Sequence, residues 1–138
     1  MAINAYVYFN GNCREAVEFY AKAFGAEAPR IMTFGDTPPN PAYPLPEQAK
    51  KLVLHAELKI ADSRVMFSDT FPGNPYTQGN NINITVMGDN AEDIKTWFNN
   101  LKEGGTVTME LQKTFWSDCY GMLTDKFGIG WQLSTESH

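Results

Sequence analysis

The chain has 138 residues and a net charge of −5 from 11 basic and 16 acidic side chains, with no stretch that gathers Lys and Arg into a patch. That is the length of one ordinary domain, and the acidic balance argues against nucleic acid as a partner because phosphates would be repelled. No run approaches the ~18 apolar residues of a membrane span, Met1 to Tyr8 lacks the basic head and apolar stretch of a secretory signal, and Cys13 and Cys119 are too few for a disulfide framework; a cytoplasmic chain with reduced thiols is expected.

Ile3 to Phe9, rich in β-branched and aromatic residues, reads as a strand that runs into the turn Asn10-Gly11-Asn12. A helix follows, with Asn12 as cap, Glu15 reaching back to complete a capping box, an apolar stripe of Val17, Tyr20 and Phe24, and Gly25 as the stop. Ala28 to Phe34 is a short strand. Gly35 to Lys50 carries Pro38, Pro39, Pro41, Pro44 and Pro46, which exclude a central strand and leave an extended loop with a turn of helix from Pro46, either a plain surface loop or the cover of a pocket or contact with a partner subunit. Leu52 to Ile60 and Arg64 to Ser68 are strands joined tightly through Ala61-Asp62-Ser63 as a hairpin. After Pro72-Gly73-Asn74-Pro75 come a strand at Asn81 to Met87, the turn Gly88-Asp89-Asn90, a helix from Ala91 to Lys102 that stops at Gly104-Gly105, and strands at Thr106 to Leu111, Tyr120 to Thr124 and Ile129 to Ser134.

The two halves repeat. Sliding the first helix by 77 positions pairs Gly11 with Gly88, Asn12 with Asp89, Glu15 with Glu92, Val17 with Ile94, Tyr20 with Trp97 and Phe24 with Leu101. The period is too long for a solenoid unit and indicates a duplicated βαβββ module within a single domain spanning 1–138, module one over about 1–70 and module two over about 78–136. The fold class is α+β: two modules forming a curved mixed sheet with the helices on its outer side.

In such a sheet alternate residues face the helices. Leu52, Leu54, Ala56, Leu58 and Ile60 form one apolar face, so Val53, His55, Glu57 and Lys59 share the other. Ile82, Ile84 and Val86 face the second helix and send Asn81, Asn83 and Thr85 away from it. In the last strand Ile129, Trp131 and Leu133 point inward, leaving Gly130, Gln132 and Ser134 opposite. If the sheet curls, His55, Glu57, Asn81, Asn83 and Gln132 converge on one concavity; the same alternation also describes an antiparallel sheet with one wet face, and His55 read as a structural histidine. The first strand leaves its phase open, since Ala5, Val7 and Phe9 or Tyr6 and Tyr8 would serve as core. His138 is expected to be frayed. No phosphate loop, dinucleotide fingerprint, Gly-x-Ser-x-Gly elbow, His-x-x-x-His or Cys-x-x-Cys occurs, and neither cysteine has a neighbouring histidine to activate it.

The duplicated module resembles the vicinal oxygen chelate superfamily, which contains glyoxalase I, extradiol dioxygenases and bleomycin resistance proteins. The run Phe115 to Gly121 followed by Thr124 to Trp131 is similar to the PhnB-like branch, as are Tyr8 to Cys13 with Glu18-Phe19-Tyr20, and His55 to Leu58 leading to Met66 to Asp69. The resemblance implies a homodimer. Metal-dependent relatives place one ligand on the first strand of each module and a carboxylate at the end of each; the matching positions here are Ala5, His55 or Glu57, Asn81 and Gln132, of which only His55/Glu57 keeps a good ligand type. The resemblance with these departures implies a binding protein with no metal and no cofactor, whose concave sheets hold a small polar organic molecule between His55, Glu57, Asn81, Asn83, Gln132 and the aromatic residues Phe115, Trp116 and Tyr120. The alternative is a divalent-metal lyase, isomerase or dioxygenase with His55 and Glu57 as ligands and Gln132 and water completing the shell. The ubiquinone-pathway methyltransferase label that some PhnB-like sequences carry finds no glycine-rich turn for a nucleotide cofactor.

Overall fold

A computed structural model describes residues 1–136, so His138 lies outside the described residues. The chain divides into two compact units, Met1–Ala21 with Gly25–Thr77, and Lys22–Phe24 with the chain from Gln78 onward. Each unit builds its own four-stranded mixed sheet.

The first sheet contains β1 (Tyr6–Phe9), β2 (Arg30–Thr33), β3 (Val53–Ile60) and β4 (Ser63–Asp69), in the order β1-β4-β3-β2. Strand β1 runs parallel to β4, and the other pairs are antiparallel. The long crossover that parallel pairing requires contains helix α1 (Cys13–Phe24). Tyr20 of α1 packs on Phe67, ring centroids 5.8 Å apart, and on Phe9 at 6.5 Å, which makes an aromatic core under the helix. The β3-β4 hairpin closes through Ala61 and Asp62 at φ of 47° and 71°, the two left-handed residues of a primed two-residue turn whose twist matches the strands it joins.

The alternation expected for β3 holds from Ala56 to Ile60 and fails at its start. Val53 is buried and Leu54 only half-buried. Pairing to β2 jumps from Met32↔His55 to Thr33↔Val53, and this bulge leaves one extra residue on β3, so the faces exchange there. Gly35 to Lys50 is an extended loop with 3-10 turns at Phe34–Asp36 and Glu47–Ala49, the second entered from Pro46 as expected. It curls around a hollow of 530 Å³ between its own residues, among them Pro39, Tyr43 and Leu45.

The second sheet repeats the plan with β5 (Asn83–Gly88), β6 (Thr106–Gln112), β7 (Tyr120–Thr124) and β8 (Gly130–Thr135), in the order β5-β8-β7-β6, β5 parallel to β8. Helix α2 (Ala91–Leu101) buries Ile94, Phe98 and Leu101. Its cap is Asn90, whose side-chain oxygen accepts from the Asp93 amide at 2.9 Å, and not Asp89. Strand β5 continues two residues past Val86, the 77-position counterpart of Phe9, and Asn90 lies four positions after Val86 where Asn12 lies three after Phe9. The first strands of the two units therefore start 77 positions apart and the helices 78, which pairs buried Tyr20 with buried Phe98 in place of half-buried Trp97. Ile82, expected on the helix face, precedes β5 and is exposed. Ser134, expected opposite the core, is buried, with its hydroxyl donating to the Thr135 carbonyl at 2.9 Å.

Candidate functional site

Helices cover one face of each sheet, and the other face carries the expected polar residues. In the first unit, cross-strand pairing of Met32 with His55, Glu57 with Met66 and Met66 with Tyr6 puts these side chains on one side. The Tyr6 hydroxyl and His55 Nδ1 are 3.0 Å apart, their rings 5.6 Å, and Tyr6 stacks on Tyr8 at 5.1 Å. Burial, then the neighbouring Tyr8 oxygen, raises the Tyr6 pKa above its ordinary value, so the phenol keeps its proton near neutral pH. His55 Nε2 lies 3.7 Å from Glu57 Oε2, and the carboxylate favours a proton on Nε2, the tautomer in which Nδ1 accepts from the Tyr6 hydroxyl. Glu57 is in turn paired with Arg64 at 3.1 Å.

In the second unit Tyr120 donates its hydroxyl proton to Gln132 Oε1 at 2.8 Å. Trp116 meets Tyr120 edge-on at 5.3 Å and Phe115 meets Trp116 at 4.7 Å, a ladder of rings that ends in solvent, with Phe115 96% exposed and Trp116 47%. Asn83 sits beside Gly130, its parallel-strand neighbour, where any side chain on residue 130 would collide with the Asn83 amide oxygen. Asn81 lies ahead of β5 and is exposed. The structure thus brings His55 and Glu57 together in one unit, and Phe115, Trp116, Tyr120 and Gln132 in the other.

Two buried carboxylates hold the frames of these faces. Asp69, at the end of β4, accepts from the Gly11 and Cys13 amides through Oδ1 at 2.9 and 3.0 Å and from the Val53 amide through Oδ2 at 2.9 Å. It ties the entry of α1 and the start of β3 to one point. Asp125 accepts from the Phe127 and Ile129 amides and, through Oδ2, from the Trp131 indole at 2.8 Å. Thr135 Oγ1 similarly takes the Asp118 and Cys119 amides and shares a proton with Ser117. Both cysteines are free and buried. Burial, reinforced by Asp69, pushes the Cys13 thiol up to about 12, and burial also raises Cys119, so neither is a nucleophile near neutral pH.

Sequence reasoning left Tyr6 and Tyr8 undecided and did not single out Arg64. The repeat contained the missing signal: the 77-residue offset places Tyr6 on Asn83 and Tyr8 on Thr85, both on the open face.

Residues 2–133 match the family described as the glyoxalase/bleomycin resistance protein/dioxygenase superfamily. The chain belongs to this superfamily. Protein YjdN of Escherichia coli strain K12 is 31% identical, over 97% of this chain and 95% of that protein. The crystal structure of protein PA1353 from Pseudomonas aeruginosa is 36% identical, with a TM-score of 0.84 over 100% of this chain and 99% of that one. The PhnB protein from Bacillus cereus shares the glyoxalase-type fold at a TM-score of 0.71 and 24% identity, covering 98% and 99% of the two chains. The divalent metal implied by catalytic relatives of this superfamily does not fit the donors present. Among the described residues no three His, Cys, Asp or Glu side chains group to hold an ion. His55 Nδ1 already accepts from Tyr6, and Glu57 is engaged by Arg64.

Proposed function

We propose that the chain is a small-molecule-binding protein of the PhnB-like type that acts as a cytoplasmic homodimer and holds a polar organic ligand without a catalytic metal. The observation that carries this reading is common to both units taken separately. On each open sheet face, solvent-facing aromatic rings are joined by a hydrogen bond to a polar side chain, Tyr6 to His55 and Tyr120 to Gln132. Rings left in water gain of order 1.5–3 kcal/mol each when a ligand or partner covers them, and carboxamides such as Asn81, Asn83 and Gln132 supply donors and acceptors without a buried charge. Among the described residues no helix is long and apolar enough to cross a membrane.

A thermal-shift screen of the purified protein against polar metabolites, followed by native mass spectrometry, tests the reading. A bound metabolite whose melting shift is lost in Tyr6→Ala or Trp116→Ala supports it; hits that stabilise both variants as well as the wild type overturn it. The metal-dependent lyase, isomerase or dioxygenase alternative draws on one observation, the closeness of His55 and Glu57. Elemental analysis of protein purified without chelators separates the two, since that alternative requires about one metal per chain, lost in Glu57→Ala.

A further inference from the structure

We propose that the open face of the first sheet recognises the anionic group of a small organic ligand, a carboxylate or phosphate ester carried on a flat or apolar body. The inference deepens the binding reading above and rests on it. Register places Arg30 opposite Glu57 and Lys59 opposite Arg64, and alternation puts all four on the face that bears His55. Three cations therefore share this face with one carboxylate, in a chain whose net charge is −5.

Glu57 cannot neutralise them. It is committed to Arg64 at 3.1 Å, and among the described residues no carboxylate lies within ion-pair distance of Arg30 or Lys59. Lys59 and Arg64 are like charges directly opposite one another on neighbouring strands, an arrangement that destabilises an antiparallel pair. An anion seated on the face relieves that repulsion, and guanidinium groups bind carboxylate and phosphate oxygens in a fork geometry. Beside the cations stand the stacked rings of Tyr6 and Tyr8, with Tyr8 56% exposed. His55 adds a donor: its Nε2 proton faces Glu57 across 3.7 Å, too far for a hydrogen bond. A ligand with an aromatic or apolar body over the Tyr6 and Tyr8 rings and an anionic end toward Arg30 and Lys59 pairs the cations that Glu57 leaves without a carboxylate.

The test is amide-resolved NMR titration of the full chain with four probes that share a ring and differ in charge: benzoate, phenyl phosphate, benzyl alcohol and benzylammonium. Benzoate or phenyl phosphate is expected to shift the resonances of Tyr6, His55 and Glu57 with an affinity at least tenfold above benzyl alcohol, and the tighter of the two identifies the anion as carboxylate or phosphate. Arg30→Gln and Lys59→Gln, both at exposed positions, are each expected to weaken the preferred anion about three- to tenfold and to leave benzyl alcohol unchanged, with the far-ultraviolet spectrum intact. Equal affinity for benzoate and benzyl alcohol overturns the anion inference while the binding surface stands. Probes that shift no resonance on either sheet overturn the inference together with the binding reading beneath it.

Discussion

Asp125 offers the sharpest test of how the second sheet is held. The side chain is 3% exposed and accepts hydrogen bonds from the Phe127 amide at 2.8 Å, the Ile129 amide at 3.1 Å and the indole of fully buried Trp131 at 2.8 Å. Asp125→Ala removes the acceptor of these bonds. With hydrogen bonds to a charged group worth roughly 1.5–3 kcal/mol and the exposed part of the turn able to recruit water, the loss should be about 3–5 kcal/mol. That is a large part of the ~5–15 kcal/mol that stabilises a domain. Asp125→Asn is nearly isosteric but turns an NH2 toward either the indole or the two amides, so about 2–3 kcal/mol should still be lost. Equilibrium urea unfolding at neutral pH, followed by circular dichroism, measures both. A cycle with Trp131→Phe isolates the indole bond, for which a coupling of about 1–2 kcal/mol is expected. An Asp125→Asn variant within about 0.5 kcal/mol of wild type would mean that the carboxylate's charge and second oxygen contribute nothing to holding this sheet.

Cys13 should make stability fall at alkaline pH. Its ordinary pKa of 9.0 rises to about 12 in the folded chain, so between those values the unfolded chain loses a proton that the folded one keeps. Stability then declines by up to about 1.4 kcal/mol per pH unit above 9, and the decline should be shallower in Cys13→Ala when urea midpoints are compared at about pH 8 and 10.5. Replacing Ala61-Asp62 by Asn-Gly should raise stability by about 1 kcal/mol in the same assay, since Ala61 holds a left-handed conformation that L side chains resist and the Asn-Gly pair favours. Gly130→Ala should cost about 1 kcal/mol by driving the new methyl into Asn83, and most of that cost should disappear in Gly130→Ala with Asn83→Ala; equal losses in the single and double variants count against the contact. Tyr6→Phe removes the donor to His55 Nδ1, and nitrogen chemical shifts of the imidazole should move from the single Nε2–H tautomer to a mixture.

Much of the architecture is legible in the residues alone. Tyr120–Thr124 emerges with the expected bounds, the hairpin turns at Ala61-Asp62, and both helices end where glycines follow. The errors cluster where one residue changes a phase. A bulge opposite Met32/Thr33 buries Val53, and the longer passage from Val86 to Asn90 moves the second cap by one position. Neither leaves a mark in hydropathy, because a bulge is a property of two paired strands.

The duplicated module, the two amphipathic helices and the polar alternation that carries His55, Glu57, Asn83 and Gln132 are set locally, since periods of 3.6 and 2 are written in neighbouring residues. The phase of the first strand, to which only the repeat points in the residues, is settled by packing, which buries Phe9 and turns Tyr6 and Tyr8 outward. The tertiary fold alone joins Asp69 to amides 16, 56 and 58 positions away, and Tyr6 to His55 across 49. Such pairings depend on register between distant strands, which packing of the shared core sets and local composition does not encode.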